Sequence, residues 1–252
     1  MTFVHALILI LAGIAVGFIN TIAGGGSAIS LSVLILLGLP AGVANGTNRI
    51  AILIQNIGAS LNYKRLKVLE SKKGLFLALP AIIGAVVGSW IAVDINEVLM
   101  RRVIGILLLV VLVVMILNPK KWLEGKESEE IRLHWWHYVI FFFIGIYGGF
   151  IHVGVGYALL TGIVLAVGYD LVRANAMKVL IILLWTPLSL LMFYYNHEVN
   201  LIYGLVMGIG NLIGALIASQ LSVKKGAGFV RILIIIITLA MSAYLLGFFP
   251  TK

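Results

Sequence analysis

The 252-residue chain contains no cysteine, so disulfides and thiolate metal sites are excluded and the redox compartment stays undetermined. Charge is scarce as well: Asp, Glu, Lys and Arg make up 11% of the residues, against 62% hydrophobic. With a mean hydropathy of +1.15, the chain is far too apolar for an ordinary soluble domain. All nine acidic residues, Glu70, Asp94, Glu97, Glu124, Glu127, Glu129, Glu130, Asp170 and Glu198, fall in or beside loops. Cation transporters and proton pumps usually hold their cargo with intramembrane carboxylates, so both classes lose support. Enzymatic signatures are missing too. There is no H-E-x-x-H, no paired intramembrane Asp and no Gly-x-Ser-x-Gly, and no Gly-Lys-Ser/Thr follows the Gly24 to Gly26 run. No enzymatic activity is expected.

Long hydrophobic stretches are abundant, and the expected fold class is an all-α integral membrane protein. Ten segments are predicted, at about 3–22, 27–38, 43–62, 74–93, 101–117, 137–156, 157–168, 173–194, 200–220 and 230–249. No polar block is large enough for a separate domain, so residues 1–252 form a single transporter-like unit. It divides into a first half at about 1–117, a linker at about 118–136 and a second half at about 137–252. The first segment lacks a basic leader and an A-x-A cleavage site and reads as mature protein.

The formal net charge of +9 comes from basic residues in short loops, where topology signals belong, and no basic face with interleaved aromatics suggests a nucleic-acid partner. Lys64, Arg65, Lys67, Lys72 and Lys73 place the loop after the third segment in the cytoplasm. Strict alternation then adds Lys120, Lys121, Lys126, Arg132, Arg173, Lys224 and Lys225 there, leaving Arg101, Arg102 and Lys252 outside. The predicted location is the cell inner (plasma) membrane, multi-pass, with both termini outside. The corresponding loop of the second half, 195–200, has no Lys or Arg and carries Glu198. The halves therefore enter the membrane in opposite senses, and five segments each suits two inverted-topology repeats.

The halves also echo one another in sequence. Gly13-x3-Gly17-Phe18-Ile19-Asn20, leading to Gly24-Gly25-Gly26-Ser27, recurs as Gly145-x3-Gly149-Phe150-Ile151-His152, leading to Gly154-Val155-Gly156. Ala44-Asn45-Gly46-Thr47-Asn48-Arg49 recurs as Ala174-Asn175-Ala176-Met177-Lys178. The pairs Gly84/Gly88 and Gly210/Gly214 read as close helix packing. Segments 27–38 and 157–168, at ~12 residues and ~18 Å each, fall short of a ~30 Å hydrocarbon core. They read as half-helices of broken or re-entrant hairpins whose Gly-rich tips meet near the midplane, each presenting free amides (Ser27 to Ile29 and Tyr157 to Leu159) that favour an anion.

These motifs, with the Gly38-Leu39-Pro40 turn, resemble the TauE/SafE family of membrane permeases (sulfite exporters and toluene-sulfonate uptake permeases), over essentially the whole chain. The resemblance implies transport of small sulfur-containing anions such as sulfite, thiosulfate or sulfoacetate. The residues point the same way. Lys178 and Arg49 sit six to seven residues inside their segments, where charge is costly and is read first as functional; either stem is also long enough to snorkel to the interface. Asn45, Asn48 and Asn175 can donate to oxyanion oxygens or hydrogen-bond between helices. His152, aligned with Asn20, can donate to an anion, carry a proton or rest on a backbone carbonyl. The substrate-binding set is therefore Asn20, Gly25, Gly26, Ser27, Asn45, Asn48, Arg49, His152, Gly156, Tyr157, Asn175 and Lys178. In the alignment Arg49 faces Val179, so this site is pseudosymmetric in amides but not in charge. Thr47, Gln55 and Asn56 are weaker candidates, and His134 and His137 beside Trp135 and Trp136 read as an interfacial anchor. The expectation is a secondary transporter of small sulfur oxyanions, with an anion channel or a carrier of another organic anion as the alternative. No metal or cofactor is called for, and proton or sodium coupling stays open. The partners expected are the anion and the lipid bilayer, with assembly as a homo-oligomer left open.

Overall fold

The computed structural model describes residues 1–94 and 131–245. The predicted segment at 101–117 lies outside them, as do Arg101, Arg102, Lys120, Lys121, Lys126, Lys252 and the acidic residues Glu97, Glu124, Glu127, Glu129 and Glu130. The described chain is helical, with no strand among the described residues. In order, the helices are α1 (Phe3–Ile22), α2 (Ser27–Leu36), α3 (Ala41–Arg65), α4 (Ser71–Asp94), α5 (Trp135–Phe150), α6 (Val155–Thr161), α7 (Leu171–Tyr195) and α8 (Leu201–Leu245). A π-helical turn, Gly162–Val167, continues α6.

Four of these are long and apolar enough to cross a membrane: Phe3–Ile22, Ser71–Val93, Leu171–Tyr195 and Leu201–Ile236. Helix α3 is as long as α7, at 25 residues, yet carries Asn45, Asn48, Arg49, Gln55 and Asn56, all buried. Such a helix survives in an apolar medium only when other protein surrounds it. Helix α8 is bent at Gly226, whose φ of 77° and ψ of −178° no L side chain adopts comfortably, so the ninth and tenth predicted segments meet at one glycine.

Glycine governs the packing. Helix α1 lies on α8 and α5 lies on α4, so the first helix of each half packs on the fourth helix of the other. A methyl group at Gly13 or Gly17 would collide with the backbone of Met207 or Asn211, and one at Gly210 or Gly214 with the carbonyls of Ile10 or Ile14. The other interface repeats the arrangement: Gly145 and Gly149 press on Ala81 and Ala85, and Gly84 and Gly88 on the carbonyls of Phe142 and Ile146. Small residues let the backbones touch, which is how helices gain dispersion contacts where lipid offers no hydrophobic drive.

Two hairpins are inserted between these pairs. The tenfold division placed the sixth segment at 137–156, but α5 stops at Phe150, and Ile151 turns to extended backbone before Gly154 adopts a φ of 75°. His137 at the start of α5 approaches the carbonyl of Ala166 at the end of the π turn (3.1 Å), so both ends of the second hairpin lie together. In the first hairpin, Gly38 (φ 94°) ends α2, and Asn200 N–H donates to Thr47 near the start of α3 (2.8 Å). His5 of α1 meets Tyr203 of α8 (3.1 Å) at that same end. Tyr169, which follows the second hairpin, donates to Glu70 beyond the far end of α3 (2.8 Å). Since α3 runs ~27 Å from Thr47 to its end at Arg65, the hairpins open toward opposite ends of the molecule. Tyr63 of α3 also meets Ser222 (2.8 Å), so Lys224 and Lys225 lie at the end that bears Lys64, Arg65, Lys72, Lys73 and Arg173.

Candidate functional site

The hairpin tips touch. A Cβ on Gly24 would overlap Gly156 and one on Gly156 would overlap Gly24, while the Tyr157 ring lies over Gly25. Gly24 also has a φ of 93°, so both shape and backbone demand glycine there. Around this contact the structure gathers the predicted residues: Asn20, Ser27, Asn45, Asn48, Arg49, His152, Tyr157, Asn175 and Lys178 are all buried.

Lys178 and Arg49 are each 0% exposed, so neither snorkels. The Lys178 ammonium donates to the carbonyls of Asn20 and Thr21, both at 2.9 Å, and to Asn175 Oδ1 at 2.6 Å. Its three N–H groups are thereby used. The Arg49 guanidinium donates to the carbonyls of Gly148 (3.3 Å) and Gly149, and stacks 4.4 Å above the Phe193 ring. Asn20 and Thr21 belong to the last turn of α1, and Gly148 and Gly149 to the last turn of α5. Each cation thus reaches across to the other half and satisfies the carbonyls a helix leaves open where it breaks before its tip. This corrects the expectation of charge asymmetry. Arg49 and Lys178 are one residue apart in register, but the long guanidinium stem brings the two charges to equivalent duties.

Other expectations need the same adjustment. The amides expected to be free at Ser27 to Ile29 are committed: Ser27 N donates to Asn20 Oδ1 (3.1 Å), and the amides of Ala28 and Ile29 bond the carbonyls of Gly25 and Gly26. Tyr157 N donates to Gly154 O (3.0 Å). Asn20 and His152, aligned in sequence, are not equivalent in space. Asn20 is inside α1 and bonds Ser27 and Gln55, whereas α5 ends two residues before His152, whose ring stands edge-on to Trp185 with centroids 6.3 Å apart.

The polar side chains form a connected system. Gln55 joins Asn20 to Asn211, Ser30 donates to Asn48 Oδ1 (2.7 Å), and Asn45 Nδ2 donates to Phe150 O (3.1 Å). Several buried nitrogens nevertheless have no partner: Asn48 Nδ2, Asn175 Nδ2, Arg49 Nε, His152 Nδ1 and Trp185 Nε1. Buried donors are rarely left so. Trp185 is the residue that sequence reasoning missed. Its one signal is spacing, seven residues beyond Lys178 and so two turns along the same face of α7. Of the weaker candidates, Thr47 ties the 196–200 loop to α3, and Asn56 bonds Ile52 O within its own helix (2.8 Å).

Apolar crossing helices, two hairpins broken inside the protein and a buried polar centre define a helical multi-pass membrane protein. The chain belongs to the sulfite exporter TauE/SafE family, which it matches over residues 9–245, and it is a membrane transporter of that family. It is 25% identical to a probable membrane transporter protein of Haemophilus influenzae over 238 residues, covering 94% of this chain and 92% of that one. It is 27% identical to the probable membrane transporter protein ORF9 of a Sinorhizobium species over 241 residues, covering 95% and 91%. Against the probable membrane transporter protein YfcA of Escherichia coli K12, identity is 28% over 233 residues, covering 91% and 85%. No solved structure matches the chain.

Proposed function

We propose that the protein is a secondary carrier of small sulfur-containing oxyanions, sulfite or an organosulfonate such as sulfoacetate, working by alternating access between two inverted repeats. The observation that carries the substrate sign is electrostatic. Arg49 and Lys178 are wholly buried, and none of the carboxylates among the described residues lies in an ion pair with either. Two positive charges held by carbonyl dipoles and, for Arg49, one aromatic face are costly in an apolar medium, and an anion between them would offset part of that cost. The unpaired donors of Asn48, Asn175 and Arg49 supply the hydrogen bonds an oxyanion needs.

The reciprocal α1–α8 and α4–α5 interfaces, and hairpins opening to opposite ends, support the inverted repeat. The cluster of basic residues at one end supports a cytoplasmic placement of that end. Contact between Gly24 and Gly156 favours a carrier over a pore, because a permanent path would have to run between the tips. Proteoliposomes loaded with unlabelled sulfite, sulfoacetate, thiosulfate or chloride test the proposal. Radiolabelled sulfite should accumulate by counterflow against the sulfur oxyanions and not chloride, and Lys178→Gln should abolish it. Counterflow with none of these anions would remove the substrate assignment.

A further inference from the structure

Trp185 stands outside every motif that the two halves share. Its side chain is 0% exposed, and its indole N–H, a donor that never acts as an acceptor, has no partner. A buried indole usually finds one. The ring lies against Gly148, where a Cβ would come within 2.8 Å of Cζ2, the carbon on the N–H edge of the ring. The same Gly148 carbonyl receives Arg49 Nη1 (3.3 Å), and His152 stands edge-on to the indole, ring centroids 6.3 Å apart. Three unpaired buried nitrogens, Trp185 Nε1, His152 Nδ1 and Arg49 Nε, therefore belong to side chains linked through Trp185 and Gly148.

We infer that Trp185 is a substrate-binding residue whose indole N–H donates to an oxygen of the transported oxyanion, in a subsite shared with His152 and Arg49. The inference rests on the reading of the protein as an oxyanion carrier and adds a specificity element to it. An uncharged donor-only group contributes hydrogen bonding without further net charge. Set beside a guanidinium and an imidazole, it makes three nitrogens to meet three oxygens, the number on a sulfite or sulfonate head. His152 fills its part in the tautomer that carries hydrogen on Nδ1. Gly148 is glycine because the indole edge occupies the place a side chain would take.

The test replaces the N–H while keeping the ring. Trp185→Phe, and separately an analogue in which the Trp185 indole is replaced by benzothiophene, should raise the KM for sulfite in counterflow about tenfold, as expected for one hydrogen bond to a charged ligand. The benzothiophene form should keep the thermal stability of the wild type, since it fills the same space and removes an unpaired donor. A variant with the other four tryptophans changed to Phe provides a second readout: sulfite should shift or quench the emission of Trp185. An unchanged KM in the benzothiophene form, or an unresponsive emission, in protein that performs counterflow would overturn the role of Trp185 and leave the carrier standing. Wild-type protein showing no counterflow with any oxyanion would overturn both.

Discussion

Asn175 occupies the most exacting position among the buried residues. Its Oδ1 accepts from Lys178 at 2.6 Å while its Nδ2 has no partner, so one side chain faces the cation with an acceptor and keeps a buried donor free. Asn175→Asp would place a carboxylate where the amide oxygen is, giving Lys178 an internal counter-ion and removing the free N–H. The expected outcome is protein that expresses and melts like the wild type but shows no oxyanion counterflow, because fixed charge now does what the substrate did. Counterflow that survived in Asn175→Asp would show that Lys178 serves the α1 carbonyls alone.

At the level of helices, glycines on and off the packed faces make opposite predictions. Gly214→Ala sets a methyl against the Ile14 carbonyl and the Phe18 amide, both main-chain atoms that cannot step aside without moving α1. Gly88→Ala does the same to Ile146 and Phe150 across α4 and α5. Each should cost about 1–3 kcal/mol, read as a lower melting temperature in detergent. Gly228→Ala is the contrast: nothing lies within 4 Å of a Cβ there, so the higher helix propensity of Ala should stabilise by about 0.5–1 kcal/mol. Equal effects at Gly214 and Gly228 would refute close packing as the reason for the glycines.

For the molecule as a whole, each end is closed by a loop laid on the start of a long helix. At one end Glu70 takes the Tyr169 hydroxyl, while at the other the 196–200 loop covers the start of α3, with the Glu198 carboxylate against Gly42 and the Asn200 amide on Thr47. Burial raises the Glu198 carboxyl above the usual carboxylate range, and its Oε2 has no partner. For an acid raised in the closed form, the protonated state favours closure. That contribution is fully present below the ordinary Glu value of about 4.3 and is lost as pH rises through the raised value. Amide exchange at residues 198–200, corrected for its intrinsic pH dependence, should therefore slow as the solution is acidified across that window. Glu198→Gln should hold the slow rate at neutral pH and lose the pH dependence. The same pH profile in both proteins would eliminate Glu198 as the titrating group.

Membrane class, the Gly-rich interruptions and the depth of Asn175 and Lys178 were legible in the sequence. Hydropathy, short segment length and charge at depth are local properties, and one strand of letters suffices to read them. Boundaries were less so: α5 ends at Phe150 because the chain turns there toward Gly154, and an apolar run from 137 to 156 hides that turn. What the sequence by itself determined is a helical membrane protein in two similar halves, each interrupted by glycine and each bearing buried amides with a cation nearby. What only the tertiary structure decided is what those groups face. Lys178 finds its carbonyls 157 and 158 residues away, Arg49 finds its own 99 and 100 residues away, and Trp185 meets His152 and Gly148 across a helix pair. Alignment compares positions, whereas side chains several ångströms long choose partners by reach, so the matching of Arg49 with Lys178 and the unpaired N–H of Trp185 exist only once the halves are packed together.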